Sequence, residues 1–452
     1  MFKKETYIQR RLALKKNVGK GILLFLGNDE VGANYADNCY PFRQDSTFLY
    51  FFGLPYAGLS AVIDVDNDRE IIFGNELTVD EIVWTGAQPT LREKCESAGI
   101  AHIKRPDELD ACLQAAVRQR QPIHYLPPYR AEHRIKLWAL PGVHPSREKP
   151  SVEFVKAVVN LRNYKTDEEV AEIEKACRVT AEMHRAAIAL IRPGRYEYEV
   201  AAEIEAVAQR HNCRLSFPTI ATVNGQTLHN HYHGNRIKRG DLFLTDAGAE
   251  TEMGYAGDMS STVPADGVFT PRQREIYDIQ VACHKAAVAA LRPGIRFETV
   301  YDISARVITE GLTALGLMRG DADEAVREGA HALFYPHGLG HMMGLDVHDM
   351  ENLGETYVGY DGAPKSKQFG RRSLRLARTL ETRFVHTIEP GIYFIPELID
   401  QWKSEKKCAS FICYDKVEAY RDFGGIRNEE DYLITETGAR LLGTKITTPG
   451  KA

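Results

Sequence analysis

Short apolar runs alternate with amphipathic stretches through the first 140 residues. Gly21–Gly27 (GILLFLG), Phe48–Leu54 (FLYFFGL), Ala61–Val65 (AVIDV) and Ile71–Phe73 (IIF) have strand length and β-type composition. Asp66, Asn67 and Asp68, between the last two runs, predict a turn. Asp107–Gln119 instead places Leu109, Cys112, Leu113 and Val117 at helical spacing, so this part mixes sheet and helix as an α/β domain. Pro141, Pro145 and Pro150 follow in a stretch that continues no helix and reads as an inter-domain connection. Thr166 and Glu169 then form a T-x-x-E capping box ahead of the amphipathic pattern of Val170, Ile173 and Cys177. A first domain is expected over 1–163 and a second over 164–452.

The second domain contains an internal repeat. Met183–Gly194 and Cys283–Gly294 align without a gap at an offset of 100 residues, with seven identities in twelve positions that include His, Arg, Pro and Gly. Each copy predicts a helix stopped by Arg-Pro-Gly, then a second helical pattern (Tyr198–Arg210 and Val300–Leu312), then strand-like runs. A duplicated α/β half with pseudo-twofold symmetry explains this better than shared alanine content, and a cleft between such halves can draw ligands from both.

Composition narrows the setting. The chain has 452 residues, 44% apolar and 26% charged, enough for two or three ordinary globular domains. With 57 Lys and Arg against 62 Asp and Glu, the net charge of −5 offers no field for nucleic acid or an anionic membrane. The eight cysteines form no CxxC pair, the basic N-terminus has no apolar run behind it, and no run of about 18 apolar residues occurs. A soluble cytoplasmic protein without nucleic-acid or membrane partners is expected.

Acidic residues sit where soluble proteins seldom place them. Asp246 ends one apolar run and Asp258 opens the next; a hairpin folded about Glu252 sets the two directly opposite, unless a bulge intervenes or one faces solvent. His337, His341 and His348 fall within twelve positions among apolar residues, and Gly338 and Gly340 predict an extended or turning backbone there rather than a helix. Glu389 lies inside the apolar run Phe384–Phe394, and the following proline biases it to extended geometry. Gly424–Thr435 carries Glu429, Glu430 and Asp431, of which Glu430 reads as a solvated strand-edge acid. If Asp246, Asp258, Glu389 and Glu429 converge at about 5 Å, each pair costs about 3 kcal/mol at an effective dielectric of about 20, and six pairs cost about 20 kcal/mol, more than typical folding stability. Such acids must be protonated or bind cations. A mostly oxygen shell with one imidazole suits Mn, Fe or Co, with Zn also possible.

Asp246, Asp258, His341, Glu389 and Glu429, within the motifs HGLGH, EPGIY and GIRNEED, resemble the five-ligand dinuclear site of the aminopeptidase P and prolidase branch of the pita-bread metallopeptidases. Phe42–Leu54 (FRQDSTFLYFFGL) resembles the signature of the non-catalytic domain that precedes that fold, so the likeness covers nearly the whole chain. The resemblance implies an α/β (α+β) architecture, with an N-terminal α/β domain before a pita-bread catalytic domain. Departures are a spacing between the aspartates one residue longer than usual, Asn428 in place of a branched apolar residue, and a loop in which His231 fits the HY-x-x-N pattern while His229 competes with it.

The same resemblance implies two divalent ions, manganese first, with a bridging water acidified for attack on a carbonyl. Glu389 would be ligand and general base, His348 would stabilise the oxyanion and His231 would assist near the leaving nitrogen. His337, Tyr393 and Arg427 match positions lining a proline pocket, and Arg375, within the basic stretch Lys365–Arg378, matches a prolidase residue that anchors a substrate carboxylate. The implied substrates are proline-containing peptides, cleaved before proline by a homodimer. Xaa-Pro aminopeptidase is the leading expectation and Xaa-Pro dipeptidase the second. A metal-free binding protein on this fold and a creatinase-type hydrolase are the readings from other classes.

Overall fold

The computed structural model describes residues 1–141 and 149–445, so that of the three connecting prolines Pro145 lies outside the described residues. The chain separates into two compact units, Met1–Arg162 with Asn352–Tyr357, and Asn163–Glu351 with Val358–Ala452. Among the described residues, no helix is long and apolar enough to cross a membrane.

The first unit is built on a five-stranded sheet in the order His102–Lys104, Arg69–Phe73, Ser60–Asp64, Ile22–Leu26, Ile123–His124. Its outer pairs are parallel and its inner pairs antiparallel. The runs at 22–26, 60–64 and 69–73 are strands, and Asp68 turns between the last two with φ +51°. The helix Glu108–Arg118 buries Leu109, Leu113 and Ala116 at i, i+4 and i+7; Val117 falls one position round the wheel and is exposed.

The run Phe48–Leu54, expected as a strand, instead lies in the helix Ser46–Phe52 up to Phe52, with Gly53 and Leu54 beyond its end. Asp45 caps it by accepting from the Phe48 N–H at 2.8 Å, and Gly53 closes it at φ +62°. Every residue of this helix is buried, so no polar face was left to reveal the helical period. Buried Gln44 accepts from the Asn28 and Asp45 N–H groups at 2.7 and 2.8 Å and donates to the Tyr56 carbonyl at 2.6 Å. Arg11, also buried, donates to Glu70 at 2.7 Å and to the Phe51 and Ala98 carbonyls at 2.9 Å each. The polar residues of this segment thus hold one buried helix in place.

In the second unit the capping box forms as expected, with Thr166 N–H donating to Glu169 at 2.9 Å at the head of the helix Asp167–Leu190. The repeat appears as two helix pairs, Asp167–Leu190 with Glu197–Arg210 and Pro271–Ala290 with Phe297–Ala314, whose corners turn at Gly194 (φ +96°) and Gly294 (φ +85°). Met183, Ala187, Val200 and Ile204 from the first pair pack with Phe243 and Val263 of the strands into one core. The strands Leu242–Ala247 and Met259–Pro264 pair with each other, Val385–Ile388 pairs with Glu430–Ile434, and Gly391–Phe394 with Gly424–Arg427.

Lys165 and Asp349 form an ion pair of 2.9 Å with both side chains buried, and the Asp349 N–H donates to the Met342 carbonyl at 2.9 Å, folding the segment between His341 and His348. Removing one member of such a pair leaves the other charge buried without its counter-ion. Lys165→Met should therefore lower unfolding stability by about 3–5 kcal/mol, measured by chemical denaturation; a loss under about 1 kcal/mol would show that the pair carries little of the fold.

Candidate metal centre

Backbone register brings the acids together. Leu242–Ala247 runs antiparallel to Met259–Pro264 with Asp246 opposite Ser260. Ser260 bridges in turn to Glu429, whose N–H donates to the Ser260 carbonyl at 3.0 Å. The pairs Ile388 with Glu430 and Gly391 with Arg427 belong to one shared register, which sets Glu389 opposite Glu429. Asp246, Ser260, Glu429 and Glu389 therefore form one row across the strands, and Asp258 lies two residues from Ser260 on the same face.

The hairpin differs from expectation by one residue. Its centre is Met253, not Glu252: Gly254 N–H donates to the Thr251 carbonyl at 2.8 Å and Thr251 N–H to the Tyr255 carbonyl at 2.9 Å. Gly254, at φ +86°, makes this the three-residue loop that ends in a left-handed glycine. Asp258 is consequently opposite Gly248, diagonal to Asp246, and the two charges avoid direct opposition. The glycine after Met253 was the signal in the sequence. Gly248 has a second constraint, since a Cβ there would lie 1.9 Å from the Gly257 carbonyl oxygen.

Glu389 and Glu429 occupy matching breaks between ladders. The apolar run ends one strand at Ile388 and begins another at Gly391, and the opposing run breaks between Arg427 and Glu430. Gln280, from the second repeat helix, donates to the Pro390 carbonyl at 2.7 Å and accepts from the Asn428 side-chain amide, tying the breaks together. This gives the unusual Asn428 a structural part.

Asp258, His341 and Glu429 each offer a ligand atom within 4.8 Å of the others, and all three are buried. His341 donates from Nδ1 to the Met342 carbonyl at 3.1 Å, leaving the Nε2 lone pair 3.4 Å from Asp258 Oδ2. Burial first, then the charge of neighbouring His348, holds the His341 pKa well below the usual histidine range, so its ring is neutral. Burial pushes Asp258 and Glu429 well above the carboxylate range, and the surrounding acids add to the push. Glu389 is raised by burial to about 7, with Asp246 adding to the rise and Arg427 and Arg375 opposing it. Asp246 Oδ1, Asp258 Oδ1 and Glu429 Oε1 are buried without a hydrogen-bond partner. Three orphaned carboxylate oxygens beside one neutral imidazole fit a divalent-metal shell.

Arg427 supplies the nearest counter-charge. It donates to Asp246 Oδ2 at 2.6 Å, Ser260 Oγ at 2.9 Å and the Tyr393 hydroxyl at 2.8 Å, and that hydroxyl lies 2.8 Å from His337 Nε2. His337, Tyr393 and Arg427 are thus one hydrogen-bonded chain ending on Asp246, with His337 Nδ1 also 3.9 Å from Glu389. Room for the Tyr393 ring comes from Gly391 and Gly425, where a Cβ would approach it to 2.2 and 2.4 Å. The His348 ring centroid is 4.1 Å from that of His341. Glu351 Oε2 and Arg375 Nε both contact His348 Nδ1, and the hydrogen bond with His348 is the main reason that Glu351 is held at about 2.

Both candidate loop histidines, His229 and His231, are exposed; the charges of Arg427, Asp246, Arg375 and His348 act on His229, with partial desolvation the largest cause of its lowered pKa. Buried Glu197 anchors the loop at both ends, accepting from Val223 N–H at 2.8 Å and from the Asn235 backbone and side chain at 3.0 and 2.9 Å. Glu430, expected at a solvated edge, is buried instead and accepts from the Tyr432 hydroxyl at 2.6 Å.

Several supporting residues went unread in the sequence. Asp431 accepts from the Asp258 N–H and the Cys177 thiol, each at 3.1 Å. The repeat also supplies paired supports: Thr180 accepts from the Ala249 N–H at 2.9 Å, and buried His184 reaches Ser261 at 2.8 Å and the Ala247 carbonyl at 3.2 Å. One hundred positions on, Gln280 holds Pro390, and His284 lies 3.8 Å from Glu430. The equal offset was the available signal.

Residues 171–436 match the Metallopeptidase family M24, and residues 7–124 match the Aminopeptidase P, N-terminal domain. The chain is 31% identical over 461 residues to an Xaa-Pro dipeptidase of Rattus norvegicus, covering 95% of this chain and 88% of the relative. It is likewise 31% identical over 460 residues to an Xaa-Pro aminopeptidase of Escherichia coli strain K12, covering 98% and 95%. Among solved structures it is similar to proline aminopeptidase P II from Yersinia pestis, with TM-score 0.81, 28% identity and 99% and 98% coverage. Zinc-substituted E. coli aminopeptidase P in complex with product gives TM-score 0.79, 29% identity and 99% and 96% coverage.

The charge arrangement has a consequence for pH. Asp258 and Glu429 bind protons more tightly folded than unfolded, so the stability they contribute is present at low pH and is lost as pH rises through their folded pKa values. Buried histidines such as His337 and His386, lowered to about 3 and 4, act in the opposite sense, but only below the ordinary histidine pKa of about 6.5. Chelator-treated protein should therefore lose thermal stability between about pH 6.5 and 8, and added Mn should restore it most at the alkaline end. Asp258→Asn should flatten the slope and remove most of the metal effect. A metal-free melting temperature independent of pH across that window would count against a buried acidic centre.

Proposed function

The chain belongs to metallopeptidase family M24, and from that membership we propose that it is an Xaa-Pro aminopeptidase, hydrolysing the bond between an N-terminal residue and a following proline. The carrying observation is the convergence of Asp258, His341 and Glu429 within 4.8 Å beside the row that holds Asp246 and Glu389. We assign these five residues as ligands of two divalent ions, manganese by preference, with cobalt, iron or zinc able to substitute. When bound, the ions supply Lewis acidity that makes hydroxide available at neutral pH and polarises the scissile carbonyl. Residues 164–452 are read as the catalytic domain and 1–163 as the non-catalytic domain.

Glu389 is assigned as general base. Its carboxylate would accept a proton from an attacking water and return it to the leaving nitrogen. His348, whose Nδ1 contacts both the Glu351 carboxylate and Arg375 Nε, is assigned to the carbonyl oxygen, which a proton on its Nε2 would bond as negative charge develops. Of the loop histidines we assign His229 rather than His231 to the leaving-group side, because its charge environment is that of the cluster. His337 and Tyr393 are assigned to the side of the site that would take proline, whose tertiary amide has no N–H to recognise. Arg427 holds Asp246.

Xaa-Pro dipeptidase is the second reading, favoured by Arg375, a cation suited to a terminal carboxylate. A cytoplasmic homodimer completes the proposal. In the first unit, the helix Val79–Thr85 leaves Val79, Val83 and Trp84 exposed, as a face covered by a second copy would be; a monomer in sedimentation velocity would remove that part.

With Mn present, the protein should hydrolyse an Xaa-Pro-Pro peptide faster than Gly-Pro and lose both activities to chelator. Turnover of the dipeptide alone would replace aminopeptidase by dipeptidase. Substoichiometric metal without hydrolysis in added Mn would favour a binding role. Glu389→Gln should lower kcat roughly 10³-fold, and His229→Ala should cost more activity than His231→Ala. The reverse order would reinstate His231.

A further inference from the structure

The two guanidinium groups nearest the metal centre are not equivalent. Arg427 is bonded through all three nitrogens to Ser260, Tyr393 and Asp246. Arg375 uses Nε alone, 3.1 Å from His348 Nδ1 and 3.3 Å from Glu351 Oε2, and its two terminal nitrogens have no hydrogen-bond partner among the described residues. Its side chain is 34% exposed, and its charge acts on Glu389, His341, His337 and His229, so it shares their cleft. A planar fork with two free donors is suited to a carboxylate. Glu351, 40% exposed, places one negative charge against that fork from the side.

We propose that Glu351 sets the length of peptide the enzyme prefers, by opposing the terminal carboxylate of an Xaa-Pro dipeptide at Arg375 while leaving longer peptides, which present a neutral amide there, unaffected. This inference rests on the Xaa-Pro reading of the site. A dipeptide carboxylate gains attraction from Arg375 and meets repulsion from Glu351, whereas an amide feels little of either; discrimination thus comes from a repulsive element placed beside an attractive one. Glu351 also contacts His348, so replacing it changes the rate for every substrate, and only a ratio between matched substrates isolates its effect on length.

The matched pair is Ala-Pro and Ala-Pro-amide, which differ in the charge of one terminal group, assayed on the full-length manganese-loaded enzyme. Glu351→Gln keeps a hydrogen-bond acceptor and removes the charge. The ratio of kcat/KM for acid over amide should rise roughly fivefold, the scale of a partly exposed charge pair, and should rise less at high salt. Arg375→Met should lower the same ratio. A ratio unchanged in Glu351→Gln while both rates fall would overturn the inference and reduce Glu351 to a support for His348, as would an unchanged ratio in Arg375→Met. Calorimetric affinities of L-proline and L-prolinamide, which are not hydrolysed, give an independent readout. If full metal occupancy brings no hydrolysis but Glu351→Gln still shifts that affinity ratio toward proline, the peptidase reading fails and the carboxylate inference stands. If hydrolysis is intact and neither ratio moves, the inference fails alone.

Discussion

The central constraint is the burial of several like charges on one row of a sheet. Asp246, Glu429 and Glu389 are set side by side by backbone pairing through Ser260, with Asp258 diagonal to the row. No arrangement of this kind is stable as free carboxylates, and the raised pKa values of Asp258, Glu389 and Glu429 express that cost. Arg427 relieves part of it, by pairing directly with Asp246 and by its charge on Glu389 and Glu429. Divalent cations are the remaining counter-charge that the orphaned oxygens of Asp246, Asp258 and Glu429 can take.

Much of the surrounding structure holds those acids against their own repulsion. The two helices of the repeat do this from equivalent positions, Thr180 and His184 on the strands carrying Asp246 and Asp258, Gln280 and His284 on those carrying Glu389 and Glu429. The close approach of the hairpin strands at Gly248 and Gly257, and the space left for Tyr393 by Gly391 and Gly425, belong to the same problem of packing backbone tightly around charge. The duplication therefore supplies support as well as architecture.

Sequence spacing revealed the site better than the means of its assembly. The acids and the histidine that the strands gather, the capping box at Thr166 and the repeat were legible because each lies in a local pattern. Phe48–Leu54 was misread because a helix buried on every side has no polar stripe, and the hairpin was misplaced by one residue because the turn follows Gly254 rather than the midpoint between charges. Glu430 was misjudged because nothing in the local pattern announces His284, from a distant helix, as its neighbour. The roles of Glu197, Ser260, Asp431 and Lys165 were invisible because each acts on a partner at least 25 positions away, from Glu197 on Thr222 to Lys165 on Asp349.

The backbone amides of the facing acids have partners of their own: Glu429 N–H bonds Ser260 at 3.0 Å and Glu389 N–H bonds Leu339 at 2.8 Å. Their Cα positions are consequently settled by sheet formation, before any ion arrives. Ions bound there would find the backbone already placed, with the entropy of gathering distant side chains lost when the chain folds. The centre is preorganised in the strict sense: the conformational work of making it is done by the scaffold.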